Sequence, residues 1–325
     1  MHSDWLAIDP ALETERICGM LREAALVFKR RGFVLGVSGG IDSSVTLALC
    51  VKAVGEQRVV ALQMPERHSD TDTLRLSASV ADHFKVAKVL EDISPILESV
   101  HCYARFDAAV RTVVPEYGEG WKSKIVMPNV IENRGYTTFS IVAQAPDGTL
   151  IKKRLPLDAY LGILSATNFK QRVRKMLEYY HADRLNYLVA GTPNRLEYDQ
   201  GFFVKTGDGA ADVKPIAHLY KTQVYRLAEY LGVPEEIRQR PPTTDTYSLP
   251  QGQDEFYFSL PLEKFDLCLY GKNHGRSPAE AAQEVGLTGA QVATVYRDID
   301  AKRAATKYLH ARPLMAGEVP ELLPG

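Results

Sequence analysis

The sequence predicts an α/β protein: a doubly wound parallel sheet flanked by helices. Three observations lead there. Short apolar runs alternate with helix-length amphipathic segments from residue 12 to 91. The first apolar run passes straight into Ser-Gly-Gly and then into a helix start. The same rhythm resumes at Asn168 after an interruption. Alternating strands and helices joined by short loops indicate βαβ units and a parallel sheet.

The elements follow in order. Leu12 to Arg30 reads as an amphipathic helix, Phe33 to Val37 as a strand, Ser43 to Val54 as a helix and Val59 to Met64 as a second strand. Thr71 to His83 is a helix, and Ala87 to Glu91 a third strand. From Tyr103 to Leu164 the rhythm breaks, so 103–164 reads as an insertion into a single domain covering 1–325. Within it, alternating residues around Pro146-Asp147-Gly148 predict a β-hairpin over about 136–156. A structural arm, a dimer contact, a lid and a partner-docking element all fit that hairpin. Asn168 to Ala182 then reads as helix, Leu185 to Ala190 as strand and Lys221 to Leu231 as helix, closed by Gly232 and Pro234. Pro241-Pro242 opens a loop running to about Asp254. Ser277 to Val285 and Thr288 to His310 are the last two helices.

The most specific stretch is Val34-Leu35-Gly36-Val37-Ser38-Gly39-Gly40-Ile41-Asp42-Ser43-Ser44. A strand, a glycine turn and a helix N-terminus aim backbone N–H groups and the positive end of the helix dipole at one spot. Glycines let the backbone approach a phosphate. Ser38, Ser43 and Ser44 add hydroxyls, and Asp42 can hold Mg²⁺ that the phosphates also touch. The run has no turn lysine and does not spell GxGxxG. It resembles the pyrophosphate-binding loop of the ATP pyrophosphatase superfamily, whose members split ATP between the α and β phosphates.

Further elements follow: Asn168-x-x-x-Arg172-x-Arg174, Gly191-Thr192-x-Asn194-x-x-Glu197, Gly207-Asp208-Gly209-x-x-Asp212, Leu219-Tyr220-Lys221-Thr222-Gln223-Val224 and Asp254-Glu255. With the first loop, their order and spacing resemble the ammonia-dependent NAD⁺ synthetases over about Ile17 to Pro313. The resemblance implies the amidation of the nicotinate carboxylate of deamido-NAD by ammonia. ATP is co-substrate, an acyl-adenylate is the intermediate, and the products are NAD, AMP and pyrophosphate. It implies an ATP site of Gly36, Ser38, Gly39, Gly40, Asp42, Ser43, Arg172, Thr192, Lys221 and Thr243. Asp42 and Glu197 would be Mg²⁺ ligands, and Asp42, Lys221 and Thr243 would be catalytic. Arg174, Lys205, Asp208, Asp212 and Asp254 would face deamido-NAD. A homodimer with active sites at the subunit interface is also implied.

Pro193, Leu196, Ala210, Ala217 and His218 depart from the family pattern. They motivate a second reading, an adenylate-forming amide ligase of this fold acting on a different small carboxylate. About 30 residues precede the phosphate loop, too few for a fused glutaminase, so ammonia is the expected nitrogen source and a separate glutaminase the alternative. A net charge of −1 argues against a broad nucleic-acid or membrane surface. Four scattered cysteines form no zinc or disulfide pattern. With no secretory signal pattern and no spanning apolar run, a cytoplasmic setting is expected.

Overall fold

The computed structural model describes residues 4–69, 71–127, 139–241, 247–249, 258, 260–317 and 319. In chain order the elements are α1 (Pro10–Val27), β1 (Phe33–Gly36), α2 (Ile41–Val54), β2 (Val59–Gln63), α3 (Thr71–His83), β3 (Ala87–Leu90), α4 (Ser94–Ser99), α5 (Cys102–Arg111), β4 (Lys122–Val126), β5 (Ser140–Gln144), β6 (Leu150–Arg154), α6 (Leu157–Leu185), β7 (Leu188–Val189), α7 (Arg195–Gln200), α8 (Lys221–Tyr230), α9 (Glu235–Gln239), α10 (Leu262–Asn273), α11 (Pro278–Val285) and α12 (Gly289–His310).

Four strands form a parallel sheet in the order β3-β2-β1-β7. Side chains alternate across a strand, so β1 serves two cores. Phe33 and Leu35 pack with Ile17, Leu21, Leu47 and Leu227 of α1, α2 and α8. Val34 packs on the opposite face with Leu97, Cys102 and Val173 of α4, α5 and α6. Helices thus cover both faces, as the alternation predicts, and β1 and all of β2 but its last residue, Gln63, are apolar because neither face meets water. A further cluster joins α10, α11 and α12 to Leu196 and Tyr220.

The expected hairpin forms from β5 and β6, antiparallel from Ser140↔Arg154 to Gln144↔Leu150. Gly148 turns it at φ +89°, and Asp147 Oδ1 accepts from Thr149 N at 2.9 Å. β4 adds a third antiparallel strand that the sequence pattern did not reveal, pairing Val126 with Ser140 and Lys122 with Gln144. Ile125, Ile141 and Ala143 of this small sheet bury against Val110, Val114 and Ile163.

Two boundaries differ from the sequence reading. α6 is 29 residues long and begins eleven residues before Asn168. Its first turns carry exposed Leu157 and Leu161, which blur amphipathic periodicity, and its N-cap is Pro156, which gives no side-chain signal. Because α6 continues to Leu185 and Asn186 turns left-handed at φ 57°, β7 shrinks to two residues. The sequence reading assigned no element to the residues of α10; Pro261 precedes it, and Phe265, Leu267, Cys268 and Leu269 supply its buried face. Most of the loop expected from Pro241 to Asp254, including Thr243 and Asp254, lies outside the described residues.

Candidate active site

A cavity of about 730 Å³ opens at the carboxyl ends of β1, β2 and β7, where open α/β sheets bind ligands. Its floor is the Ser-Gly-Gly turn. Val37 N donates to Leu62 O at 2.8 Å, which fixes the turn to β2. Gly39 has φ +72°, and a Cβ there would lie 2.6 Å from Leu76 Cβ and 2.8 Å from Ser77 N of α3. Both the dihedral and the contact require glycine. Gly36 has a different reason. A Cβ would press on Met64 Cε at 3.0 Å and Glu178 Oε1 at 3.2 Å.

The N-cap of α2 is Gly40, which has no side chain to fill the helix end. Ser43 Oγ donates to Gly40 O at 3.0 Å and receives Ser38 N at 3.3 Å, while Ser44 Oγ donates to the same carbonyl at 2.8 Å. These bonds hold the turn's shape and leave the α2 N-terminus facing the cavity. An anion is stabilised at such a position.

Asp42 projects from the first turn of α2. Its carboxylate accepts from Lys221 Nζ, the first residue of α8, and from Asn194 Nδ2 at 3.2 Å. Asn194 is 1% exposed and also caps α7, receiving Leu196 N and Glu197 N. Glu197 completes the capping box by accepting Asn194 N at 3.1 Å. Four residues from three distant segments therefore converge. Burial first, and Asp42 second, push the Glu197 carboxyl up to about 8. Burial alone would lower the Lys221 ammonium, but Asp42 and Glu197 hold it above its ordinary value.

α8 begins with a lysine at the positive end of its own dipole, an unfavourable placement. Asp266 of α10 compensates. Its buried carboxylate accepts Lys221 N at 3.1 Å and Thr222 N at 2.8 Å, which caps α8 from another helix. Burial pushes the Asp266 carboxyl up to about 7.

The remaining expected residues divide. Arg172 and Thr192 line the cavity. Arg174 lines it too and donates from Nε to Met64 O at 3.2 Å, joining α6 to the end of β2. Asp208 lines the cavity and accepts Val204 N at 2.7 Å, with its carboxyl raised by burial. Lys205 reaches the lining while its ammonium donates to the Tyr308 and Ala311 carbonyls at the end of α12. Asp212 is exposed and outside the lining; its carboxylate accepts Val189 N at 2.7 Å and Tyr179 OH at 3.3 Å, securing β7.

Several lining residues were not anticipated. Lys175 donates to Glu178 Oε2 at 2.6 Å, a buried pair one turn along α6. Lys170 donates to Glu66 Oε1 at 2.8 Å, and Tyr103 OH donates to Glu66 Oε2 at 2.9 Å, fastening the loop after β2 to α5 and α6. The available signal was charge on positions of α6 that its periodicity turns inward.

Three comparisons now bear on this geometry. The NAD synthase family model matches residues 13–116 and 150–307. The NH(3)-dependent NAD(+) synthetase of Rhizobium meliloti strain 1021 is 58% identical over 320 residues, covering 98% of this chain and 96% of that one. The chain belongs to the NAD synthase family. The corresponding synthetase of Mesorhizobium japonicum is also 58% identical, over 97% of this chain and 99% of its own. Among solved structures, the NAD⁺ synthetase of Burkholderia pseudomallei superposes with a TM-score of 0.57 at 25% identity, covering 93% of this chain and 91% of that one. The family match breaks between residues 116 and 150, where β4 and β5 lie.

The family departures take on structural meanings. Leu196 is buried in the α10–α12 core, and His218 bonds Glu13 Oε1 at 2.6 Å beside α1. Neither they nor Ala210 and Ala217 line the cavity; Pro193 does. Four of the five departures therefore lie outside the cavity lining. Among the described residues, no helix is long and apolar enough to cross a membrane.

Proposed function

We propose that this chain amidates the nicotinate carboxylate of deamido-NAD with ammonia, through an acyl-adenylate, to give NAD, AMP and pyrophosphate. The convergence of Asp42, Lys221, Asn194 and Glu197 beside the Ser-Gly-Gly turn carries this reading. A carboxylate acylates poorly because its leaving group would be oxide. Attack of a carboxylate oxygen on the ATP α-phosphorus expels pyrophosphate and makes AMP the later leaving group. The α2 N-terminus and the Ser38 and Ser43 hydroxyls would cradle the departing phosphates, and Lys221 would meet the charge they develop. Ammonia then attacks the acyl carbon, and AMP leaves. Positioning and charge stabilisation suffice for both steps, with no covalent protein nucleophile.

Asp42 and Glu197 are the residues that would hold Mg²⁺. Burial first, and the Asp42 charge second, raise the cost of ionising Glu197, and a divalent cation between the two side chains would relieve it. Mg²⁺ is commonly held by one or two carboxylates plus substrate phosphates, which suits this pair. When bound, it supplies charge neutralisation to the phosphates. Arg172 and Thr192 would lie beside the adenosine, and Arg174, Lys205 and Asp208 on the deamido-NAD side. Asp212, expected on that side too, lies outside the lining and would act through its hold on β7. We assign the chain to a homodimer as well, on the exposed Leu157, Leu161, Met176 and Tyr180 of α6.

The test is turnover with ATP, Mg²⁺, ammonium and deamido-NAD. NAD and AMP forming one for one supports the reading. ATP cleavage with other carboxylates, and none with deamido-NAD, would establish the redirected ligase instead.

A further inference from the structure

The inserted sheet has no role in the chemistry above, yet it reaches the cavity. Phe139 directly precedes β5, and its carbonyl accepts Leu155 N at 2.9 Å, so the ladder of the hairpin fixes its backbone. Its ring stacks on Tyr160 of α6, with centroids 4.4 Å apart and planes 10° from parallel. Both rings line the cavity. The segment Tyr247–Leu249 also returns to the insert. Ser123 N of β4 donates to Ser248 Oγ at 2.9 Å, and Leu249 N donates to Ser123 O at 3.2 Å. Tyr247, 4% exposed, packs into the insert's own core and contributes to the same cavity wall.

The inserted sheet and the α6 turn beside it therefore gather three aromatic residues, Phe139, Tyr160 and Tyr247, at one end of the cavity. Tyr160 lies about 27 Å along α6 from Glu178, which packs on Gly36, at 1.5 Å per residue. The charged phosphate machinery clusters at the Gly36 end, and the Tyr160 end is aromatic. An aromatic plate in a cavity wall suits a flat heteroaromatic ring, since every base has a π-face and offset stacking needs no hydrogen-bond code. A docking arm for another protein would have no need to present rings inward.

We propose that the inserted sheet is a wall of the substrate site and that the Phe139–Tyr160 pair is its plate for a heteroaromatic ring of a substrate. The ring belongs to ATP or to deamido-NAD, and the inference rests on the function proposed above. The plate makes Phe139 and Tyr160 specificity-determining residues, contributed in part by a segment outside the family match.

The experiment measures binding of ATP and of deamido-NAD separately, by calorimetry, to the wild type, Phe139→Ala, Phe139→Leu and Phe139→Tyr, alongside steady-state KM and kcat. Loss of one stacked ring corresponds to about 10- to 100-fold weaker binding. Phe139→Ala and Phe139→Leu are expected to weaken one ligand by that factor with kcat changed less than threefold, and Phe139→Tyr to restore it. Weakened ATP assigns the plate to adenine; weakened deamido-NAD assigns it to a ring of that dinucleotide. Phe139→Leu retains apolar volume, so it remains readable if the alanine variant misfolds. Both affinities unchanged within twofold in a folded Phe139→Leu, with the wild-type melting temperature, overturns the inference. Absence of NAD formation by the wild type would instead overturn the function, and the ATP titration would still report on the plate.

Discussion

Replacing Lys221 by methionine keeps most of the side chain's volume and removes its charge. Lys221 is 2% exposed, and its ion-pair partner Asp42 retains 16% side-chain exposure. Breaking a buried pair by deleting one partner costs about 3–5 kcal/mol, because the other charge stays desolvated. Partial hydration of Asp42 puts this case near the lower end, about 3 kcal/mol. For a chain of this size that corresponds to a fall in melting temperature of roughly 4 °C in the absence of divalent metal. The variant leaves Asp42 and Glu197 without their shared ammonium, so Mg²⁺ should stabilise K221M more than it stabilises the wild type. At a free concentration of about 100 Kd, binding contributes about 2.7 kcal/mol and offsets most of the loss. Turnover should not follow. Removing a donor that meets developing charge costs on the order of 10²–10³ in kcat. Melting curves in EDTA and in Mg²⁺, read beside NAD formation, separate the two effects. If K221M melts with the wild type in EDTA and turns over within tenfold of it, Lys221 neither balances the carboxylates nor serves the chemistry.

Other outcomes follow from the same geometry. Glu197→Gln should abolish adenylation and the thermal shift caused by Mg²⁺; in the wild type that shift should weaken as pH falls below about 8, where the Glu197 carboxyl protonates. Asp266 has a folded-state pKa raised from 3.8 to about 7, so the folded protein binds the extra proton and stability falls as pH rises from 4 to 7. Asp266→Asn should remove that slope, as urea denaturation at pH 5 and pH 7 will show. Gly39→Ala should lose at least about 2 kcal/mol, from a left-handed backbone and a Cβ pressed on α3, and this is measurable as a drop in the denaturation midpoint. Removal of divalent metal with EDTA should stop turnover and lower the melting temperature of the wild type, with recovery on adding Mg²⁺.

Much of this molecule was legible in its sequence because the signals are local. The strand at Phe33, the Ser-Gly-Gly turn and the start of α2 are set by neighbouring residues. The order of the motifs likewise sufficed to indicate the family. Chain periodicity failed where neighbours do not decide. β4 has a pairing partner 14 to 22 residues away, so nothing beside it marks it as a strand. The first turns of α6 expose Leu157 and Leu161, so its start carries no clean amphipathic pattern. The chemistry at the centre of the site is the strongest case. Asp42 and Lys221 are 179 residues apart, and Asp266 secures the Lys221 helix from 45 residues beyond it. The sequence by itself determined the sheet, the phosphate loop and the residue types needed for ATP chemistry, since hydrogen bonding and hydrophobic period act over a few residues. Tertiary packing decided which carboxylate meets which cation, how burial shifts them, and that Phe139 beside β5 meets Tyr160 of α6 in the cavity wall. Those outcomes depend on distance and desolvation, which exist once the chain has folded.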